Sequence, residues 1–117
     1  MNGKEIAELS AGILDRKKGS DIVIIDIMAK SAFADYFVIA SAGSERQMGA
    51  LCDEVESGLS KAGLTVKGVE GKPSSGWILI DCGDVIVNLF TAETRERYNI
   101  EKVWGDCEII GLGDEDA

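Results

Sequence analysis

A chain of 117 residues with 45% hydrophobic and 28% charged residues is long enough to bury a core without staples and has ordinary globular composition. Its 21 acidic and 12 basic residues leave a net charge of −9, which argues against nucleic acid as the main direct ligand, because phosphate contacts need clustered Lys and Arg. It contains no histidine, which removes Ser-His and Cys-His nucleophilic machinery and the commonest metal ligand.

Cys52, Cys82 and Cys107 are widely spaced with no CxxC, so neither a disulfide framework nor a zinc site is expected. The longest apolar runs, such as residues 22–25, are far too short to span a bilayer. Residues 1–5 lack the apolar stretch of a signal peptide. These features predict a single domain over residues 1–117, in the cytoplasm and away from membranes.

In chain order, Ile6, Leu9, Ile13 and Leu14 form a helical stripe over residues 4–17. Lys17-Lys18-Gly19 ends it, with basic groups at the negative end of the helix dipole. Residues 22–28 predict a strand interrupted by Asp26, 29–34 a turn, and 35–41 a second strand. Ser44 and Gln47 have capping-box spacing and open a helix whose buried stripe is Met48, Leu51, Cys52, Val55 and Leu59. Gly63 closes it in a left-handed conformation. Residues 64–69 predict a third strand, and 71–76 a loop holding the single proline. A hairpin over 77–90 supplies two more strands. Thr91 caps a last helix through about Tyr98, and a further turn carries Trp104. The tail from about Gly105 is acidic, contains Ile109-Ile110, and is expected to be mobile at its end. The fold class is therefore α/β (α+β), a single-domain mixed five-stranded sheet flanked by helices.

The hairpin is the most informative stretch. Pairing Asp81 with Asp84 across a two-residue Cys82-Gly83 loop would set Leu79 opposite Ile86 and Trp77 opposite Asn88. Side chains alternate faces along a strand. One face then carries Ile78, Ile80, Val85, Val87 and Leu89, all apolar, and reads as core. The other carries Trp77, Leu79, Asp81, Asp84, Ile86, Asn88 and Phe90. Large apolar groups mixed with carboxylates and an amide read as a surface that takes a partner.

Catalytic constellations are weak. Gly43-Ser44 followed by Asp53, Glu54 and Glu56 has the elements of a nucleotidyltransferase site, but these carboxylates fall on the polar side of a helix rather than on the next strand, where Lys67 and Glu70 stand instead. A capped helix with a solvated face explains them. Asp81 and Asp84, helped by Asp26 or Asp35, have the chemistry for a magnesium ion, yet Asp beside a hairpin loop is common because its side chain bonds nearby backbone. Ser41, Ser44 and Cys82 have no histidine partner, and no Gly-x-Ser-x-Gly elbow is present. Trp104 reads as core. No cofactor and no metal site is expected.

Three ordered blocks carry a resemblance. They are Asp35-Tyr-Phe-Val-Ile-Ala-Ser-Ala-Gly-Ser-Glu-Arg-Gln47; Gly68-Val-Glu-Gly71 with Ser75-Gly-Trp77 and Asp81-Cys-Gly-Asp-Val-Ile-Val87; and Arg95-x-x-Tyr98-x-Ile-Glu101-x-Val-Trp104. Together they resemble the ribosomal silencing factor, or iojap-like, family over roughly 35–104. The resemblance implies a nucleotidyltransferase-like fold without its active site, and so no enzyme. It implies binding to the large ribosomal subunit through a basic ribosomal protein, L-fourteen, that blocks subunit joining and represses translation under nutrient limitation. It also implies self-association as a homodimer. The partner-binding positions it implies are Trp77, Asp81, Asp84, Asn88, Phe90 and Tyr98, with Asp35 and Arg46. The chain departs from the family pattern at Asn88 and Gln47, where members often carry His; Asn88 donates and accepts hydrogen bonds but cannot become cationic. An acidic chain is repelled by ribosomal RNA, which favours a basic protein patch as partner. The alternative is a small magnesium-dependent nucleotidyltransferase-like enzyme using Asp81 and Asp84.

Overall fold

A computed structural model describes residues 1–111. The elements run α1 (Gly3–Arg16), β1 (Ser20–Asp26), β2 (Tyr36–Ala42), α2 (Glu45–Lys61), β3 (Gly68–Lys72), β4 (Trp77–Asp81), β5 (Val85–Thr91), α3 (Ala92–Tyr98), α4 (Ile100–Val103) and β6 (Glu108–Gly111), with a 3-10 turn at Pro73–Ser75. The strands form one sheet in the order β3-β4-β5-β2-β1-β6. β2 and β5 pair in parallel at its centre, and every other pairing is antiparallel.

The mixed sheet matches the predicted class, but it has six strands rather than five. The sixth comes from the segment expected to be tail: Glu108–Gly111 pairs antiparallel with Asp26–Val23. Four residues are too few to show a strand period in sequence; an open edge on β1 supplies the partner that makes them a strand. The expectation of a mobile acidic end falls on residues 112–117, outside the described residues. The third strand is also shifted. Residues 64–67 are irregular, and β3 runs over Gly68–Lys72, where every residue is exposed. An edge strand covered by neither helix layer has no buried face to mark it in the sequence.

Helices α1 and α2 lie together over one face of the sheet. Beneath them Val38, Ala40, Ile78, Ile80, Val85, Val87 and Leu89 meet Leu14, Met48, Leu51 and Val55 in the main core. Both helix starts are capped as their sequences dictate. Asn2 and Glu5 form a reciprocal capping box on α1, and the Ser44 hydroxyl accepts the Gln47 amide at 3.0 Å on α2. The second half of the box expected at Ser44 is changed. The Gln47 carboxamide accepts the Gly43 amide and donates to the Lys18 carbonyl at 2.9 Å, so it ties the end of α1 to the start of α2. Gly63, at φ +84°, follows α2 in the left-handed region.

The hairpin register differs from the one the sequence suggests. Trp77 lies opposite Phe90, Leu79 opposite Asn88, and Asp81 opposite Ile86. Cys82 lies opposite Val85 and donates its amide to the Val85 carbonyl at 2.9 Å, so the turn residues are Gly83 and Asp84 rather than Cys82 and Gly83, which removes the expected pairing of Asp81 with Asp84. The Asp84 carbonyl accepts the amides of Asp35 and Tyr36 at 2.7 and 3.1 Å, tying the hairpin to the entry of β2. The slip is two residues, an even number, so every side chain keeps its assigned face.

Candidate functional site: an aromatic groove on the open sheet face

The face turned away from α1 and α2 carries a second, smaller core of Ile25, Ile27, Phe37, Ile39, Ile86 and Phe90. It is only partly covered. Thr91 opens α3 at the end of β5 by accepting the Thr94 amide, and Asn99, in the left-handed region at φ 44°, turns the chain at once into α4. The Thr94 hydroxyl donates to the Gly76 carbonyl, and the Thr91 amide donates to the same oxygen at 3.1 Å, which fastens α3 beside the start of β4. Gly76 sits at φ +78°, and a Cβ there would strike Thr94, so this fastening requires glycine.

An Arg95 clamp sets the position of α4. Its Nε and Nη2 donate to both Glu101 carboxylate oxygens at 2.8 and 3.2 Å, and its Nη1 donates to the Ser41 hydroxyl at 2.9 Å. The guanidinium is largely buried, where a bidentate pair fixes geometry as well as adding energy. α4 then stands as one wall of an open groove.

The groove has a volume of about 410 Å³ and lies between α4, the 29–34 turn and the outer half of the sheet; Phe33, Phe37, Trp77, Leu79, Val103 and Trp104 line its apolar interior, and Glu70 and Asp81 stand at it as carboxylates. A smaller hollow of about 280 Å³ continues past Trp77 to Tyr98. Phe33, Val103 and Tyr98 are 64%, 69% and 47% exposed, unusual for large apolar and aromatic side chains placed side by side. Trp77, Phe90 and Tyr98 form a cluster of tilted rings, with centroids 5.1 Å from Trp77 to each of the others and 6.4 Å between Phe90 and Tyr98. Its indole N–H donates to Asn88 Oδ1 at 3.1 Å. Trp104, expected in the core, is only half-buried; it packs edge-on against Phe37 at 5.6 Å and faces the groove.

The eight residues implied as partner-binding separate into groups. Trp77, Tyr98 and Asp81 stand at the groove or its extension. Asn88 lines the floor of the groove while only 1% exposed, and Phe90 lies on the same face but beneath it, 0% exposed. Strand β5 is flanked by β4 and β2, and the Trp77 and Tyr98 rings roof Phe90, so these two are support rather than surface. Asp35 and Asp84 stand together at the opposite end of the β2–β5 pair, joined through backbone, and Arg46 is exposed on α2, which covers the other face. Phe33, Phe37 and Val103 were not legible as groove residues. The turn of Phe33 and the four-residue helix of Val103 have no periodicity from which a facing could be read, and Phe37 lies on β2, whose residues are buried throughout and so show no alternation.

The chemistry of the candidate carboxylates follows from their surroundings. Asp81 Oδ1 accepts the Gly83 amide at 2.9 Å, the turn role its position suggests. Asp53, Glu54 and Glu56 lie on α2, where Glu54 pairs loosely with Lys17 at 3.8 Å and Glu56 accepts the Cys52 thiol at 3.5 Å. Among the described residues no group of three or more His, Cys, Asp or Glu side chains is placed to hold a metal ion, and no helix is long and apolar enough to cross a membrane. Burial, with the Asp81 charge beside it, pushes the Cys82 thiol up to about 11, the reverse of what an activated nucleophile needs.

Fold and site together define a mixed-sheet α/β domain with one face sealed by two helices and the other opened as an aromatic groove beside carboxylates. Residues 1–117 match the family model for the ribosomal silencing factor during starvation, RsfS, and the chain belongs to that family. It is 38% identical over 112 residues to the ribosomal silencing factor RsfS of Bacillus subtilis, covering 96% of this chain and 95% of that protein. A crystal structure of a Chromobacterium violaceum protein superposes with a TM-score of 0.86 at 35% identity, over 90% of this chain and 88% of that one. A Bacillus halodurans crystal structure gives 0.80 at 32% identity, over 93% and 99%.

Proposed function

We propose that the chain acts in the cytoplasm as a binding factor rather than an enzyme. It docks on the large ribosomal subunit through a basic ribosomal protein, L-fourteen, and by occupying that place blocks subunit joining and represses translation when nutrients are short. The observation that carries this reading is the open aromatic groove with Glu70 and Asp81 beside it. Exposed aromatics in a shaped apolar groove are what an interface core is made of. Carboxylates beside it, on a chain of net charge −9, favour a basic polypeptide and disfavour RNA phosphates. Trp77 and Tyr98 serve as the anchors and Asp81 as a charged contact at the edge. Asn88 and Phe90 support the Trp77 ring from below, and Asp35, Asp84 and Arg46 are peripheral.

The test is co-sedimentation with purified large subunits, followed by light scattering on addition of small subunits. Stoichiometric binding that slows joining is expected, with both effects abolished by Trp77→Ala. Failure to sediment with large subunits, or binding unaffected by Trp77→Ala and Tyr98→Ala together, would overturn the proposal.

A further inference from the structure

Asn88 is the one polar residue in the buried run Val85–Phe90 of β5. It is 1% exposed, and its single side-chain hydrogen bond is the one it accepts from the Trp77 indole. Its Nδ2 has no partner among the described residues. The orientation of the amide is chemically determined, because an indole nitrogen only donates and must face Oδ1. A buried amide with an unpartnered donor costs stability, and an apolar side chain in its place would not incur that cost. The Trp77 ring packs against Phe90 and Tyr98 in a three-ring cluster, its centroid 5.1 Å from each and theirs 6.4 Å apart. Packing of this kind restricts the plane of a ring and leaves open which edge points inward; the bond to Asn88 decides the edge.

We infer that Asn88 is a positioning residue. It holds the N–H edge of Trp77 toward the middle of β5, and its influence on partner binding runs entirely through that ring. The inference rests on the proposed role of the groove. Fixing a rotamer-rich anchor before docking removes an entropy cost that binding would otherwise carry.

A double-mutant cycle separates this from direct contact. Asn88→Leu keeps the volume and removes both polar atoms; Trp77→Phe keeps an aromatic ring and removes the donor. Each single change is expected to weaken binding to large subunits by roughly five- to tenfold, the size of one lost hydrogen bond, and the double variant should be no weaker than the weaker single. Asn88→Leu should melt no lower than the parent, which a merely structural residue would not allow. Asn88→Ala, which cannot overpack, goes through the same cycle and should show the same non-additivity. In a Trp104→Phe background Trp77 is the sole tryptophan, and Asn88→Leu should lower its fluorescence anisotropy in the free protein. Losses that multiply in the double variant would overturn the inference, since Asn88 would then act on the partner itself. So would unchanged affinity, or unchanged anisotropy of Trp77. The anisotropy is read without ribosomes, so it decides the inference even where the parent fails to bind and the proposed function falls.

Discussion

At the scale of the residue, the proposed function divides the two faces of one hairpin between folding and binding. Leu89 is fully buried under α1 and α2, whereas Trp77 is half-buried at the groove. Leu89→Ala should therefore cost about 2–5 kcal/mol of stability, as large-to-small core changes do. Trp77→Ala removes a partly exposed ring and should cost less in stability but at least about 2 kcal/mol of binding, the scale of a central aromatic anchor. Urea melts and subunit pull-downs on the two variants read both quantities. If Trp77→Ala unfolds the protein while Leu89→Ala folds normally and fails to bind, the two faces are reversed.

At the scale of the element, α4 is the part least able to stand alone. Four residues are far below the length at which a helix holds itself together, so its place depends on the Arg95–Glu101–Ser41 clamp. Arg95→Ala should lower stability by roughly 1.5–3 kcal/mol, the range for hydrogen bonds to charged groups, and should loosen the groove wall that Val103 and Trp104 supply. Arg95→Lys should recover only part of this, because an ammonium cannot hold a carboxylate bidentately. A quenching titration of Trp104 in a Trp77→Phe background checks the wall; unchanged quenching in Arg95→Ala would show that α4 is held by its apolar contacts alone. On α2, burial and then the bond to Glu56 push the Cys52 thiol from 9.0 up to about 12. The folded state thus prefers the neutral thiol. That preference contributes stability below pH 9, and the contribution is lost as pH rises from 9 towards 12. Cys52 should react slowly with a disulfide reagent at pH 8 until urea exposes it, and Cys52→Ala should flatten the alkaline end of the stability profile. Rapid labelling of folded protein at pH 8 would contradict this placement.

At the scale of the whole molecule, the proposed docking assigns the approach to charge and the fit to the groove. With 21 acidic against 12 basic residues, long-range attraction to a basic protein should dominate the association rate. That attraction weakens as the Debye length falls from about 10 Å at 0.1 M salt to about 3 Å at 1 M. The association rate with isolated L-fourteen, the proposed partner, should drop clearly with added salt, while the dissociation rate, which the proposal assigns to the apolar groove, should change less. Stopped-flow measurements over that salt range check it, and a salt-independent association rate would remove charge from the account.

The alternation of Ile78, Ile80, Val85, Val87 and Leu89 against Trp77, Leu79, Ile86, Asn88 and Phe90 was legible from residues alone, because strand periodicity is local and survives a two-residue slip in register. Helices α1 and α2 were legible for the same reason, through their stripes and caps. Three things were decided by tertiary structure. Asp84 became a turn residue whose carbonyl bonds the entry of β2, a contact about fifty residues distant in the chain. Glu108–Gly111 became a strand only because β1 offered an unpaired edge. Phe90 passed from apparent surface to support because Trp77 and Tyr98, brought by β4 and α3, close over it, and Asn88 became the buried floor of the groove, bonded to the Trp77 indole. Local pattern determines which way a side chain points. Which neighbours then cover it depends on segments far away in the chain, and that coverage turned an alternating strand into the floor of a groove.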